Sequence, residues 1–122
     1  MKSRMIAGMV WAGLVLVQWG VQAQEVQDGP FKYYYKNGNL KVEGTFKGGQ
    51  VDGVSRIYYE SGQLQSEVHS KDGQQDGPFK SYYENGQLQE EGTYRAGRQE
   101  GTSRTYYPGG KLYGEGAYQG GQ

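Results

Sequence analysis

The 122-residue sequence contains no cysteine, which closes off disulfide staples and thiolate metal sites alike. It has one histidine, His69, so zinc sites of the Cys/His type and Cys/His or Ser/His/Asp catalysis lack their parts. Neither sign of charge is in excess: 13 Lys and Arg stand against 13 Asp and Glu. Two of those bases, Lys2 and Arg4, fall in the first 23 residues, so eleven bases face thirteen acids beyond that point, a formal charge of −2. Without a basic surplus, nucleic acid and anionic membrane surfaces are not expected partners. Aliphatic residues are scarce beyond residue 23, and both tryptophans (Trp11, Trp19) and all three methionines (Met1, Met5, Met9) precede it.

The first residues read as a targeting segment. Lys2 and Arg4 are followed by an uncharged, mostly apolar run from Met5 to Val17, then by Val21-Gln22-Ala23. That is the layout of a secretory signal peptide over residues 1–23, with cleavage expected after Ala23. The alternative is an uncleaved anchor, but a span needs about 20 apolar residues, and this run is shorter and ends at Gln18. The protein is therefore expected to be exported, periplasmic or secreted, without membrane binding once the signal is removed. Residues 24–27 form a short lead-in.

What is abundant is glycine (22 residues) and tyrosine (12, all beyond residue 23). Tyrosine must supply much of the apolar area, and each hydroxyl needs water or a partner. The stretch YYENGQL (Tyr82–Leu88) has near-copies at Tyr34–Leu40, Tyr58–Leu64 and Tyr106–Leu112, each 24 residues after the last. An acid-Gly pair opens each unit: Asp28-Gly29, Asp52-Gly53, Asp76-Gly77 and Glu100-Gly101. Four units follow, at 28–51, 52–75, 76–99 and 100–122. Glycine recurs too often for helices, while Tyr, Phe, Val and Thr favour strands. The expected fold is all-β: four tandem 24-residue β-hairpin repeats, stacked because one hairpin cannot bury its apolar face alone.

Asn37-Gly38 and Asn85-Gly86 are strong hairpin signals, Gly109-Gly110 fits the same turn and Ser61-Gly62 fits less well. A two-residue type I′ loop there pairs Tyr83 with Leu88 and Tyr82 with Gln89. The same offsets oppose Lys32 to Glu43, Arg56 to Glu67, Lys80 to Glu91 and Arg104 to Glu115, ion pairs that would fix the register. The other face then carries Tyr35–Leu40, Tyr59–Leu64, Tyr83–Leu88 and Tyr107–Leu112, with Phe31 across from Gly44 and Phe79 across from Gly92. Ser55 opposite Val68 inverts that arrangement, and Ser103 opposite Gly116 looks underfilled. Units one and three share DGPFK, and units two and four share VSR or TSR, which points to a 48-residue super-period.

DGPFKSYYENGQLQEEGTYRAG (Asp76–Gly97) resembles the bacterial variant of the MORN repeat, and the resemblance extends from Asp28 to Gln122. It implies consecutive antiparallel hairpins in an elongated, curved, single-layer sheet, and no single activity. Relatives include protein-docking and dimerising modules, proposed lipid binders and YwqK-type antitoxins. The second unit departs most, with Val68-His69-Ser70 in place of Gly-Thr-aromatic, so an irregular second strand is expected there.

No catalytic constellation, cofactor site or metal site is expected, and the protein is read as a non-enzyme. His69 stands where other units have Thr45, Thr93 or Ala117 and reads as a surface residue. The Asp-Gly pairs, densest in KDGQQDG (Lys71–Gly77), lack the alternating ligands and bidentate acid of a calcium loop and read as turns. Glu90 and Glu91 are adjacent on a strand and point to opposite faces. The candidate interaction face is the column Tyr34, Tyr58, Tyr82 and Tyr106, expected on the polar side beside the ion pairs, an amphipathic surface of the kind protein interfaces favour. The same column could instead pack against neighbouring hairpins. The leading functional reading is docking to another protein, antitoxin- or immunity-like in its specific form. Alternatives are an envelope glycan or head-group binder, weakened by the lack of Trp, and self-association through the unpaired C-terminal edge strand around Glu115–Gln119.

Overall fold

A computed structural model describes residues 27–121. The expected signal peptide, the lead-in residues 24–26 and residue 122 lie outside the described residues.

Every regular element among the described residues is a strand. Each unit contributes a six-residue strand and a longer return strand: β1 (Gly29–Tyr34) and β2 (Leu40–Lys47), β4 (Gly53–Tyr58) and β5 (Leu64–Lys71), β7 (Gly77–Tyr82) and β8 (Leu88–Arg95), β10 (Gly101–Tyr106) and β11 (Leu112–Tyr118). Two-residue strands β3 (Gln50–Val51), β6 (Gln74–Gln75) and β9 (Arg98–Gln99) fold back on β2, β5 and β8. The long strands form one antiparallel meander in chain order, β1-β2-β4-β5-β7-β8-β10-β11.

The hairpin tips differ from the expected type I′ loop. In the third unit Gly86 N–H donates to Tyr83 C=O at 2.9 Å, and Tyr83 N–H donates to Gln87 C=O at 2.9 Å. Gly86 alone takes a positive φ, 91°. This is a three-residue loop, a type I turn closed by a left-handed glycine, and all four tips repeat it. Asn85 serves through its amide: Oδ1 accepts from Gln87 N–H at 2.8 Å, and Nδ2 reaches Pro108 C=O in the next unit at 3.1 Å. The two-residue loops with positive φ at both positions occur at the opposite end, at Gly48-Gly49, Asp72-Gly73 and Ala96-Gly97.

Because the tip loop holds three residues, Tyr82 pairs with Leu88, where the two-residue loop put Tyr83 opposite Leu88. A β-bulge then absorbs one residue, and Ser81↔Glu90, Lys80↔Glu91 and Phe79↔Gly92 follow. The longer loop and the bulge cancel, so the register beyond the bulge is the one the sequence suggests, in all four hairpins. The face assignment near the tip does change. Directly opposed residues share a face, so Leu40, Leu64, Leu88 and Leu112 join the first tyrosine of each doublet. The bulged residues take their place beside the second: Lys41 Nζ lies 5.5 Å from the Tyr35 ring, and Tyr113 packs edge-on at 5.0 Å against Tyr107.

The packed face is thin. Phe46 is the buried hydrophobic residue of the described chain, joined by Ser55 and Ser103. Phe31 lies 4.5 Å from Phe46, and Phe79 lies 5.1 Å from Tyr94, ring centre to ring centre. A Cβ on Gly44 would stand 2.7 Å from both Phe31 Cζ and Ser55 Oγ, and one on Gly92 would stand 2.8 Å from Phe79 Cε1. The large-bare-small sequence Phe-Gly-Ser thus runs across two units and repeats after 48 residues. Ser103 is buried by this arrangement, so the fourth unit is filled at Ser103 on β10 and open over Gly114 and Gly116 on β11. The second strand of unit two carries the same bulge as the others and is regular at Val68-His69-Ser70, which pair with Ser55, Val54 and Gly53; Ser55 opposite Val68 exchanges large and small without changing the pairing.

Candidate functional site

Adjacent hairpins join through short registers that the single-hairpin pattern could not reveal. Glu43 stands opposite Arg56, Glu67 opposite Lys80 and Glu91 opposite Arg104. With the pairs inside each hairpin, one row crosses all eight long strands with strictly alternating charge: Lys32, Glu43, Arg56, Glu67, Lys80, Glu91, Arg104, Glu115.

The row closes by three kinds of contact. Arg56 Nε meets Glu67 Oε2 at 2.9 Å, and Arg104 Nε meets Glu115 Oε2 at 2.7 Å. Glu43 and Glu91 accept instead from tyrosine hydroxyls of the next unit, Tyr58 at 2.6 Å and Tyr106 at 2.7 Å. Arg104 Nη1 approaches Glu91 at 4.0 Å. Among the described residues, Lys32–Glu43 and Lys80–Glu91 are register partners without being closed ion pairs. The longer-reaching Arg forks hold their own hairpin's carboxylate, while the lysine units leave theirs for Tyr58 and Tyr106. Those hydrogen bonds, more than burial and the nearby negative charge, raise both tyrosine pKa values above the usual 10.0. Tyr33, on the other face, is raised by burial.

Beside the ladder, towards the tips, runs the second stripe: Tyr34, Leu40, Tyr58, Leu64, Tyr82, Leu88, Tyr106 and Leu112. The proposed column Tyr34, Tyr58, Tyr82, Tyr106 therefore sits on the charged side with leucines between its members. Its members are not equivalent. Tyr58 and Tyr106 are tied to carboxylates, whereas Tyr34 is 58% exposed at the edge.

The second tyrosine of each doublet has a role that the repeated letters only hinted at. Tyr35 Oη donates to Tyr58 C=O at 2.7 Å, Tyr59 to Tyr82 C=O at 2.6 Å and Tyr83 to Tyr106 C=O at 2.7 Å. Each bond staples one unit to the next. His69 lies opposite Val54, with Nδ1 3.0 Å from Pro78 C=O. Asp28 Oδ1 accepts from Gly48 N–H at 2.7 Å, a turn contact. No group of three or more His, Cys, Asp or Glu residues among those described could hold a metal ion.

This 24-residue hairpin, stapled to its neighbours by tyrosine, matches a known repeat. The model of the MORN repeat variant matches residues 27–47, 51–72, 75–96 and 99–119. The chain belongs to the MORN repeat variant family. Comparisons with curated proteins and with solved structures returned no match.

Proposed function

We propose that this MORN-repeat chain is an exported, non-enzymatic docking protein that binds another protein across the face bearing the charge ladder and the Tyr/Leu stripe. The observation that carries the reading is the juxtaposition of those two rows. Eight strands at about 4.8 Å spacing make a face roughly 34 Å across, the scale on which a stable interface buries about 800 Å² per partner. Tyrosine supplies contact area with few rotatable bonds to immobilise, and the ladder alternates in sign, which suits a partner of mixed charge and disfavours polyanions. Export is supported by the basic start at Lys2 and Arg4, the apolar run and Val21-Gln22-Ala23. The specific form of this reading, taken from the YwqK-type relatives alone, is a partner of the toxin class.

The test is capture from envelope and exported fractions, followed by titration with the purified captured protein. Its control carries Tyr34→Ser and Tyr82→Ser, since Tyr58 and Tyr106 hold internal hydrogen bonds whose loss would disturb the sheet. Saturable binding lost from a control of unchanged melting temperature supports the reading. Equal binding by both baits places the site elsewhere and refutes it.

A further inference from the structure

We infer that copies of this protein join end to end, β11 of one copy adding to β1 of the next so that the charge ladder runs on through the joint. This concerns the edges of the sheet and stands apart from docking on its face.

Among the described residues β1 and β11 are the two outer strands. An outer strand presents unpaired N–H and C=O groups, which invite another strand. The ladder starts at Lys32 on one outer strand and stops at Glu115 on the other. The Glu115 side chain is 46% exposed, against 29% and 28% for Glu67 and Glu91, which have strands on both sides. Opposite charges therefore meet only in the end-to-end arrangement. Pairing β11 with β11 in this register would oppose Glu115 to itself, and β1 with β1 would oppose Lys32 to itself.

The super-period sets the same phase. Units two and three meet through Ser66↔Ser81 and Glu67↔Lys80. Forty-eight residues separate Ser66 from Gly114, Glu67 from Glu115, Ser81 from Tyr33 and Lys80 from Lys32. A joint from unit four to unit one of the next copy thus repeats an existing internal joint, with Glu115 against Lys32 and Gly114 against Tyr33. A Cβ at Gly114 or Gly116 would meet nothing within 4 Å, so that side of β11 has room for Tyr33 and Phe31 of the second copy. The staple has its counterpart as well. Tyr59 reaches Tyr82 C=O, and Tyr107 is the residue that would reach Tyr34 C=O of the second copy.

Exposure marks the same two ends. Among the described residues the exposed large hydrophobic ones are Tyr34 on β1 and Tyr107, Leu112 and Tyr113 at β10–β11, at 58%, 50%, 52% and 65%. Their inner counterparts Tyr58, Tyr59 and Leu64 are half-buried. A joint would cover all four. Because the contact is heterologous, growth is open-ended unless curvature closes a ring.

Sedimentation velocity across micromolar concentrations tests the joint in the purified protein. The native chain should gain mass with concentration and lose it as salt rises. Lys32→Glu alone and Glu115→Lys alone should each stay monomeric, and an equal mixture of the two should associate, because each then offers the other the opposite charge. A native chain that remains monomeric, single variants that associate like the native chain, or a mixture that stays monomeric overturns the inference. Should either charge variant fold poorly, cysteine replaces it. The chain has no cysteine of its own, and directly opposed Cα atoms lie within disulfide reach. Oxidising a mixture of Lys32→Cys and Glu115→Cys chains should yield mainly the 32–115 cross-link; a predominance of 32–32 or 115–115 dimers refutes it.

Discussion

Replacing Gly92 by alanine is the sharpest test of the packing described above. Gly92 does not take a positive φ, so an added methyl meets no backbone penalty. What it meets is the ring of Phe79, with Cε1 at 2.8 Å and Cζ at 3.3 Å, and Ser103 Cβ at 3.4 Å. Carbon atoms in contact prefer about 3.5–4.0 Å, so the ring must move by roughly 0.7 Å or more. Overpacking of that kind costs about 1–3 kcal/mol. Gly→Ala returns about 0.4–1 kcal/mol by restricting the unfolded chain, leaving a net loss of about 1–2 kcal/mol. Gly116 is the matched control, at the same place in the fourth unit and with nothing within 4 Å of its Cβ position. There only the gain remains. The two variants should differ by about 2 kcal/mol, and at about 4–8 °C per kcal/mol for a domain of this size their melting temperatures should lie roughly 10 °C apart. Thermal unfolding followed by circular dichroism at one fixed protein concentration reads this directly. Phe79→Leu, made both in the native chain and together with Gly92→Ala, should remove the penalty in a double-mutant cycle. Equal shifts for Gly92→Ala and Gly116→Ala, or a penalty that survives Phe79→Leu, would refute the claim that ring-over-glycine contact organises the sheet.

Ser55 is buried, and its Oγ has no hydrogen-bond partner; Ser55→Ala should raise stability by about 1 kcal/mol, and a loss of that size in denaturant titration would show the hydroxyl to be satisfied. Tyr59→Phe removes the staple to Tyr82 C=O and should cost about 0.5–1.5 kcal/mol, whereas Tyr107→Phe in the monomer should cost nothing; indistinguishable denaturation curves for the two variants would contradict the staple. Tyr58 and Tyr106 have folded pKa values raised above 10.0, so their contribution is full below the unfolded value and is lost as pH rises through the folded values. Stability should therefore fall in alkaline solution, and tyrosinate absorbance should show late-ionising hydroxyls, fewer after Glu43→Gln or Glu91→Gln. A titration unchanged by either substitution would remove the hydrogen bonds as its cause.

The repeating unit, its β character and the register far from the tips were legible in the chain because they rest on local rules. Period, strand propensity and a glycine at each turn act within one hairpin, and opposite charges at a fixed offset suffice to align two strands. At the tip the local rules suggest a loop one residue shorter than the one that forms. Asn-Gly fits a two-residue loop and a three-residue loop on local grounds, and all four tips, including Ser61-Gly62 and Gly109-Gly110 without an asparagine, take a third residue into the loop. That single residue moved the leucines to the charged face. Likewise, Lys32 and Glu43 could be paired from spacing, but that Glu43 takes the Tyr58 hydroxyl depends on which strand of the following hairpin lies alongside. The hairpins themselves follow from the order of the residues. How they meet is settled in three dimensions: the joints between them involve residues 13 to 23 positions apart, whose side chains become neighbours once the sheet has formed, and the unbroken ladder with its oppositely charged ends exists at that level alone.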